Sequence, residues 1–298
     1  MSPMIRCAGI RVDARRRPDT PEYSIRTMTR GEIGFAIDLA AAEGWNPGLH
    51  DAASFYTADP AGFLVGVLDG EPIACISAVS YAGSFGFIGL YIVAPRHRGK
   101  GYGLAIWNAA MRRLAGHTVG LDGVVAQQEN YRRSGFALAY RNVRFEGRGG
   151  GEAFDGPIDA RAFPFDRLCA YDRRAFPAAR SAFLRAWIDQ PGAIALASAD
   201  GGTIRGYGVV RPCREGFKIG PLFADTPAVA DALYRGLASR VPQDSPVFLD
   251  VPEPNAAAMA LTARYGMRRV FETARMYTGD APSIDLDRVF GVTTFELG

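Results

Sequence analysis

The sequence predicts a mixed α/β fold, an α+β arrangement around mixed sheet, built as two tandem lobes. Three observations carry that reading. First, the apolar stretch Phe85 to Val93 reads as a buried strand and runs through a turn of glycines and cations into Leu104 to Met111, which has helical spacing. Second, the turn and strand signals of the first half recur in the second half at matching spacing. Third, Gly147-Arg148-Gly149-Gly150-Gly151 interrupts the pattern and reads as a linker. The expected division is an arm over 1–22, a first lobe over 23–146, a linker over 147–162 and a second lobe over 163–298.

The elements of the first lobe follow in order. Residues 1–22 carry Arg and Pro with little periodicity, as a loose or docked arm would. Tyr23 to Met28 alternates like a strand, and Thr29 with Glu32 forms a capping-box signature opening a helix through Ala42. Phe63 to Leu68, the Asp69-Gly70 turn and Ile73 to Tyr81 read as a hairpin. Strand Phe85 to Val93 and its glycine-led helix come next. Val119 to Val125 reads as a strand, Asn130 to Ser134 as a short helix, and Ala137 to Glu146 as the closing strand.

The repeat is specific. Nineteen positions separate Gly70 from Gly89 and Gly201 from Gly220, with Ile88 and Ile219 just before the later glycines. Leu121-Asp122 is echoed by Leu249-Asp250. Arg144 lies nine positions after Gly135, as Arg275 does after Gly266. Two unrelated α/β domains with coincident turns are the competing reading.

Composition excludes several classes. With 298 residues, 48% hydrophobic and 22% charged, the chain suits one large or two ordinary globular domains. A net charge of +3 gives no footprint for nucleic acid, and clusters such as Arg15-Arg16-Arg17 read as solvated surface. No apolar run approaches a membrane span and no signal-peptide core follows the start, so no membrane partner is expected. Cys7, Cys75, Cys169 and Cys213 are scattered, as are His50, His97 and His117. The expectation is reduced thiols, no metal and a cytoplasmic location. Nothing in the sequence sets an oligomeric state.

The turn Arg96-His97-Arg98-Gly99-Lys100-Gly101-Tyr102-Gly103-Leu104 is a phosphate cradle by its chemistry. Glycines let backbone N–H groups approach phosphate oxygens, a helix N-terminus adds partial positive charge, and Arg96, Arg98 and Lys100 add full charges. A Walker loop is absent, and Leu104 stands where a dinucleotide fingerprint needs its third glycine. A glycine-rich solvated connector is the bland alternative. What fits is Arg98-x-x-Gly101-x-Gly103 after a strand ending in Val93-x-Pro95.

That pattern resembles the acyl-CoA signature of the GNAT acetyltransferase superfamily. The resemblance implies that residues 98 to 104 (Arg98, Gly99, Lys100, Gly101, Tyr102, Gly103 and Leu104) hold the coenzyme A pyrophosphate. It also implies that strand Phe85 to Val93 splays from the next strand, and that backbone groups of Tyr91, Ile92 and Val93 pair with an inserted pantetheine arm. Tyr131-Arg132-Arg133-Ser134-Gly135-Phe136 resembles the superfamily's Tyr-x-x-x-Gly-Phe segment, in which the tyrosine serves as general acid near the sulfur. The alternative for Tyr131 is packing. The Asn often found seven residues earlier is Val124 here and Asn255 in the second lobe, so the helix carrying Tyr131 is expected to start late or be short.

The second lobe reads Gly220-Pro221-Leu222-Phe223-Ala224-Asp225 at the cradle position, without cation or glycine pair, and Thr262 replaces the tyrosine. It is therefore expected to be degenerate, with the chemistry in the first lobe. Glu43, in a loop of the kind that lines the acceptor side of the superfamily, is the preferred general base, with Asp122 and Glu129 as rivals. Trp45, Phe55, Tyr56 and Tyr81 are candidate acceptor-pocket walls, and Asp122 a substrate contact beside the splay. The apolar run Val289 to Gly298 is expected to dock as a strand or lid that completes the acceptor pocket, or simply on the core.

The expected activity is an acetyl-CoA-dependent N-acetyltransferase that moves an acetyl group to a primary amine of a small molecule by direct transfer in a ternary complex. Acetyl-CoA is the co-substrate. No cysteine adjoins the cradle or Tyr131, which disfavours an acyl-cysteine route. A non-catalytic acyl-CoA sensor, or a protein-interaction module, is the alternative.

Overall fold

The computed structural model describes residues 22–81, 84–152, 154 and 156–298. The expected arm, except Glu22, lies outside them. The first half runs β1 (Tyr23–Thr27), α1 (Ile33–Ala42), α2 (Asp51–Ala58), β2 (Phe63–Leu68), β3 (Glu71–Tyr81), β4 (Phe85–Val93), α3 (Tyr102–Arg113), β5 (Thr118–Val124), α4 (Gln128–Arg133) and β6 (Phe136–Arg148). The second runs β7 (Ile158–Asp159), α5 (Phe165–Asp172), α6 (Ser181–Ile188), β8 (Ile194–Asp200), β9 (Thr203–Pro212), β10 (Phe217–Ala224), α7 (Pro227–Ala238), β11 (Pro246–Pro252), α8 (Ala256–Arg264), β12 (Arg268–Thr278) and β13 (Val289–Gly291). A single 3-10 turn over Arg30–Glu32 precedes α1, where the Thr29 N–H donates to the Glu32 carboxylate at 2.8 Å. Helix α4 is six residues long against nine for α8, because Val124 cannot cap as Asn255 does.

One sheet of thirteen strands runs through both lobes in the order β1-β2-β3-β4-β5-β12-β6-β11-β10-β9-β8-β7, with β13 pairing to β10. The closing strands are exchanged. Strand β5 of the first lobe pairs antiparallel with β12 of the second, and β11 of the second pairs with β6 of the first. The sequence reading gives Ala137 to Glu146 to its own lobe. The structure instead places β6 between β12 and β11, so neither sheet half closes without the other.

Helices weld the halves further. Phe55 on α2 stacks on Trp187 of α6 with ring centroids 6.0 Å apart, and the Ser54 hydroxyl donates to the Ala186 carbonyl at 3.1 Å. One apolar cluster therefore holds Phe55 and Phe87 together with Trp187, Tyr207 and Phe295. The Gly147–Gly151 stretch is not a free tether: Gly149 N–H donates to Ser245 O and Gly150 N–H to Ala238 O, both at 2.8 Å.

Two equivalent places in the sheet open into a V. Parallel pairing of β4 with β5 stops at Ile88 opposite Leu121, and that of β10 with β11 stops at Ile219 opposite Leu249. These are the repeat positions of the sequence. In the second lobe the V is filled by the chain itself: β13 pairs with β10, and Val292 N–H donates to Asp250 O at 2.8 Å. Asn255 anchors this strand, its Nδ2 donating to Leu286 O, Asp287 O and Val289 O at 3.0–3.2 Å. The run then crosses to the first lobe, where the Glu296 carbonyl sits so close to Gly89 that any side chain at 89 would collide with it. All residues from Val289 to Gly298 are buried.

Candidate functional site

The V of the first lobe is open and lies in a cavity of about 610 Å³. That volume is typical of a small-molecule site. Past Ile88, strand β4 carries a bulge. Its register against β3 slips between Gly89 and Ile92, and Leu90 adopts φ +47°. Backbone from Gly89 to Val93 therefore faces the gap without a partner from β5, as an added strand would require.

At one end of the gap stands the glycine turn. Gly99 (φ +72°) and Gly101 (φ +88°) take left-handed conformations, and Gly101 is the N-cap of α3. Gly103 has no Cβ because the Tyr91 hydroxyl and Val93 would lie 2.9 and 3.2 Å from one. The helix start thus presses onto β4. Arg98 Nε donates to Val93 O at 2.8 Å, and its Nη2 pairs with Glu43 Oε1. Arg96 pairs with Glu71, whereas exposed Lys100 has no ion-pair partner among the described residues.

Across the gap, the Tyr131 ring lies against Gly123 of β5, where any side chain would strike it. Trp107 backs the ring at 5.6 Å. Burial raises the Tyr131 pKa to about 12. A protonated phenol is thus held on the cavity wall.

Of the residues expected from sequence, the cavity gathers Glu43, Trp45, Tyr91, Ile92, Val93, Arg98, Gly99, Gly101, Gly103, Leu104, Asp122 and Tyr131. Lys100 and Tyr102 are off its wall. Lys100 points to solvent, and the Tyr102 ring packs on Tyr23 at 4.7 Å. Tyr81 is corrected as a substrate contact: it is buried in the core, donating to Leu297 O at 3.1 Å with its ring edge-on to Phe176. Asp122 is committed to Arg275 at 2.6 and 2.9 Å and accepts from Asn142 at 2.8 Å. Glu43 is engaged by Arg98 at the cradle, and Glu129 pairs outward with Arg132 and Arg133.

The sequence reading missed the far end of the cavity, which the second half supplies together with Arg144 of the first. Phe271 and Thr273 come from exchanged β12, Arg144 from β6, and Phe295 and Glu296 from the docked run. Arg144 donates to Asp250 at 2.6 and 2.8 Å and to Trp45 O at 2.8 Å, with its guanidinium 4.9 Å from the Phe295 ring centre. A signal existed, since Glu296 is the one acid in a strongly apolar run.

In the second lobe no equivalent gap exists, because β13 fills it. Asp225 there is tied to Tyr171, Arg174, Arg205 and Arg288. Among the described residues no three His, Cys, Asp or Glu side chains converge as metal ligands, and no helix is long and apolar enough to cross a membrane.

The splayed strands, the cationic glycine turn and the helix behind it define an acyl-CoA-dependent acyltransferase. Comparisons agree. Residues 33–137 match the model of the "Acetyltransferase (GNAT) family" and residues 168–291 that of an "Acetyltransferase (GNAT) domain". Holothin acyltransferase of Pseudoalteromonas sp. (strain SANK 73390) is 33% identical over 263 residues, covering 88% of this chain and 90% of that protein. A solved candidate acetyltransferase from Pyrococcus horikoshii superposes with a TM-score of 0.79 at 23% identity, covering 93% and 96% of the two chains. A tandem GNAT protein from the clavulanic acid biosynthesis pathway gives 0.60 at 14%, covering 87% and 100%. The chain belongs to the GNAT family, as a tandem member.

Proposed function

We propose that this protein is an N-acyltransferase that uses acetyl-CoA to acylate a primary amine of a small molecule, by direct transfer within a ternary complex in the first lobe. The observation that carries the reading is the unpartnered β4 edge, bounded by the glycine turn on one side and Tyr131 on the other. The acyltransferase relative supports a small-molecule acceptor.

In this reading the amides of residues 98–104 bind the pyrophosphate, with Arg98 and Lys100 adding charge. Backbone groups of Tyr91, Ile92 and Val93 pair with the pantetheine amides. An N–H beside the Leu90 bulge polarises the thioester carbonyl. Tyr131 gives its proton to the departing sulfur, a role for which a phenol of pKa about 12 is fully protonated at neutral pH. Glu43, already paired with Arg98, links the acceptor-side loop to the cradle rather than taking the amine's proton. The second lobe contributes walls rather than a second cofactor site.

The test is incubation with acetyl-CoA and a panel of amines, with thiol release and acylated product as readouts. Amine-dependent release is the expected result. Tight acetyl-CoA binding with no release for any amine would instead favour the sensor reading.

A further inference from the structure

We infer that the acceptor amine binds in the part of the cavity lined by Thr273 and Glu296, and that the Glu296 carboxylate takes its proton; the inference rests on the acyl-transfer reading above. Three independent observations place the acceptor there. The first is the vertex of the V. The carbonyl of Glu296 sits on Gly89, the residue at which β4 leaves β5, so the side chain of 296 enters the cavity beside the bulge rather than beside the cradle. The cradle marks the pyrophosphate end, and the acyl group, at the other end of the arm, meets this vertex.

The second observation is a polar group with nothing to bind. Thr273 lines the cavity, is 2% exposed, and its Oγ1 has no hydrogen-bond partner. A buried hydroxyl left without a partner is unfavourable, so one on a cavity wall suits a ligand that pairs with it. The third is charge. Glu296 is 4% exposed and accepts from the Thr294 hydroxyl. Arg144 lines the same wall, but its Nε and Nη2 are fixed on Asp250 and its Nη1 on Trp45 O. The groups facing Glu296 also include Arg211, fixed on Asp51 at 2.8 Å, and Lys218, fixed on Asn46 O at 3.0 Å. The cations around Glu296 are thus engaged by other acceptors except at the buried Arg211 Nη1, which has no partner; neither Arg211 nor Lys218 lines the cavity, and the Glu296 carboxylate is its acid at this end. Glu43 belongs to the cradle and Asp122 to Arg275. Phe271 and Phe295 add apolar walls, which fits an amine on a compact apolar body better than a polycation.

The step balances. The amine enters as an ammonium, and Glu296 removes one proton, which leaves to solvent. The nitrogen lone pair then forms the C–N bond to the thioester carbon as the C–S bond breaks toward sulfur. Of the two remaining protons, one stays on the amide and the other replaces the proton that Tyr131 gives to the thiolate.

The experiment uses the full chain with acetyl-CoA and the best amine from the panel, comparing the wild type with Glu296→Gln and Thr273→Val. Glu296→Gln is expected to lower kcat/KM for a basic alkylamine about 100-fold with acetyl-CoA affinity within about twofold of wild type. The loss should shrink at least about tenfold for a hydrazide, which is neutral at ordinary assay pH and needs no deprotonation before attack. Thr273→Val should raise the amine KM with kcat largely kept. A Glu296→Gln rate within about threefold of wild type, or an equal loss for alkylamine and hydrazide, overturns the inference. Should Glu296→Gln not fold, Glu296→Asp and Thr273→Val decide it, since unchanged amine KM in both would overturn it. A wild type inactive toward every amine would count against the acyl-transfer reading, whereas a wild type active beside an equally active Glu296→Gln counts against Glu296 alone.

Discussion

Arg144 and Asp250, 106 residues apart in the chain, form a buried bidentate ion pair at 2.6 and 2.8 Å, and the repeat-related Arg275 and Asp122 form its mirror at 2.9 and 2.6 Å. Each pair joins an arginine of one lobe to an aspartate of the other. They sit on the exchanged strands, two charges on each side of a pseudo-twofold arrangement, and each is satisfied only when both lobes are in place.

Removing one partner leaves an uncompensated buried charge, which costs about 3–5 kcal/mol. Asp250→Asn and Asp122→Asn are therefore each expected to lower stability by about that amount in urea titration. Because β5 needs β12 and β11 needs β6, the loss should appear as a shift of one cooperative transition and not as early unfolding of one lobe. Two separated transitions would contradict the exchange.

The same pair sets an acid response. Burial pushes the Asp250 carboxyl up, but the Arg144 charge and its two hydrogen bonds outweigh this, so the folded value lies below the ordinary one. A depressed carboxyl contributes stability that is fully present above the unfolded pKa of about 3.9 and is lost as pH falls below it. Stability attributable to this pair should be flat from neutral pH to about 5, then fall in acid. The Asp250→Asn variant, measured beside wild type, should lack that share of the acid loss.

Tyr131→Phe is expected to lower kcat about 100-fold with acetyl-CoA affinity nearly unchanged, if the phenol protonates the sulfur. With its pKa raised to about 12, Tyr131 should put no basic limb on the rate profile below about pH 11. Gly123→Ala offers a second route to the same result. Its methyl would strike the Tyr131 ring and displace the hydroxyl without touching the cradle.

Glu43 gives a prediction of opposite sign. Its carboxylate competes with a phosphate for Arg98, and both side chains are partly exposed. Glu43→Gln should therefore tighten coenzyme A binding modestly, about two- to fivefold, by isothermal titration. Weaker binding would show that the pair instead builds the cradle.

Gly101 and Gly89 probe the two ends of the gap. At φ +88°, Gly101→Val strains the N-cap of α3 and should abolish coenzyme A binding, as the cradle assignment requires. Gly89→Val would push the Glu296 carbonyl away. It is expected to lower Tm and amine transfer while leaving coenzyme A affinity closer to wild type than Gly101→Val does.

Local features were legible in the sequence by themselves. The glycine and cation turn, the helix behind it, Tyr131 and the repeat through Ile88 and Ile219 all appear where spacing and residue chemistry indicate. Those signals are short-range: a strand's alternation, a helix's period, or a glycine's freedom at positive φ is written within about a dozen residues. Tertiary structure alone decided what pairs with what. Nothing in the alternation of β6 or β12 names its neighbour, because alternation says which face a side chain takes and not which strand lies beside it. The exchange of those strands, the filling of the second V by β13 and the delivery of Glu296 to Gly89 are choices among distant partners. Tyr81 illustrates the same limit from the other side, since an aromatic at a strand end suits a pocket wall or a core equally well. Sequence marked the glycine turn, the strand before it and Tyr131; the fold decided that the rest of that cavity is walled by β12 and the docked run of the other lobe, because only packing brings residues as distant in the chain as Val124 and Thr273 side by side.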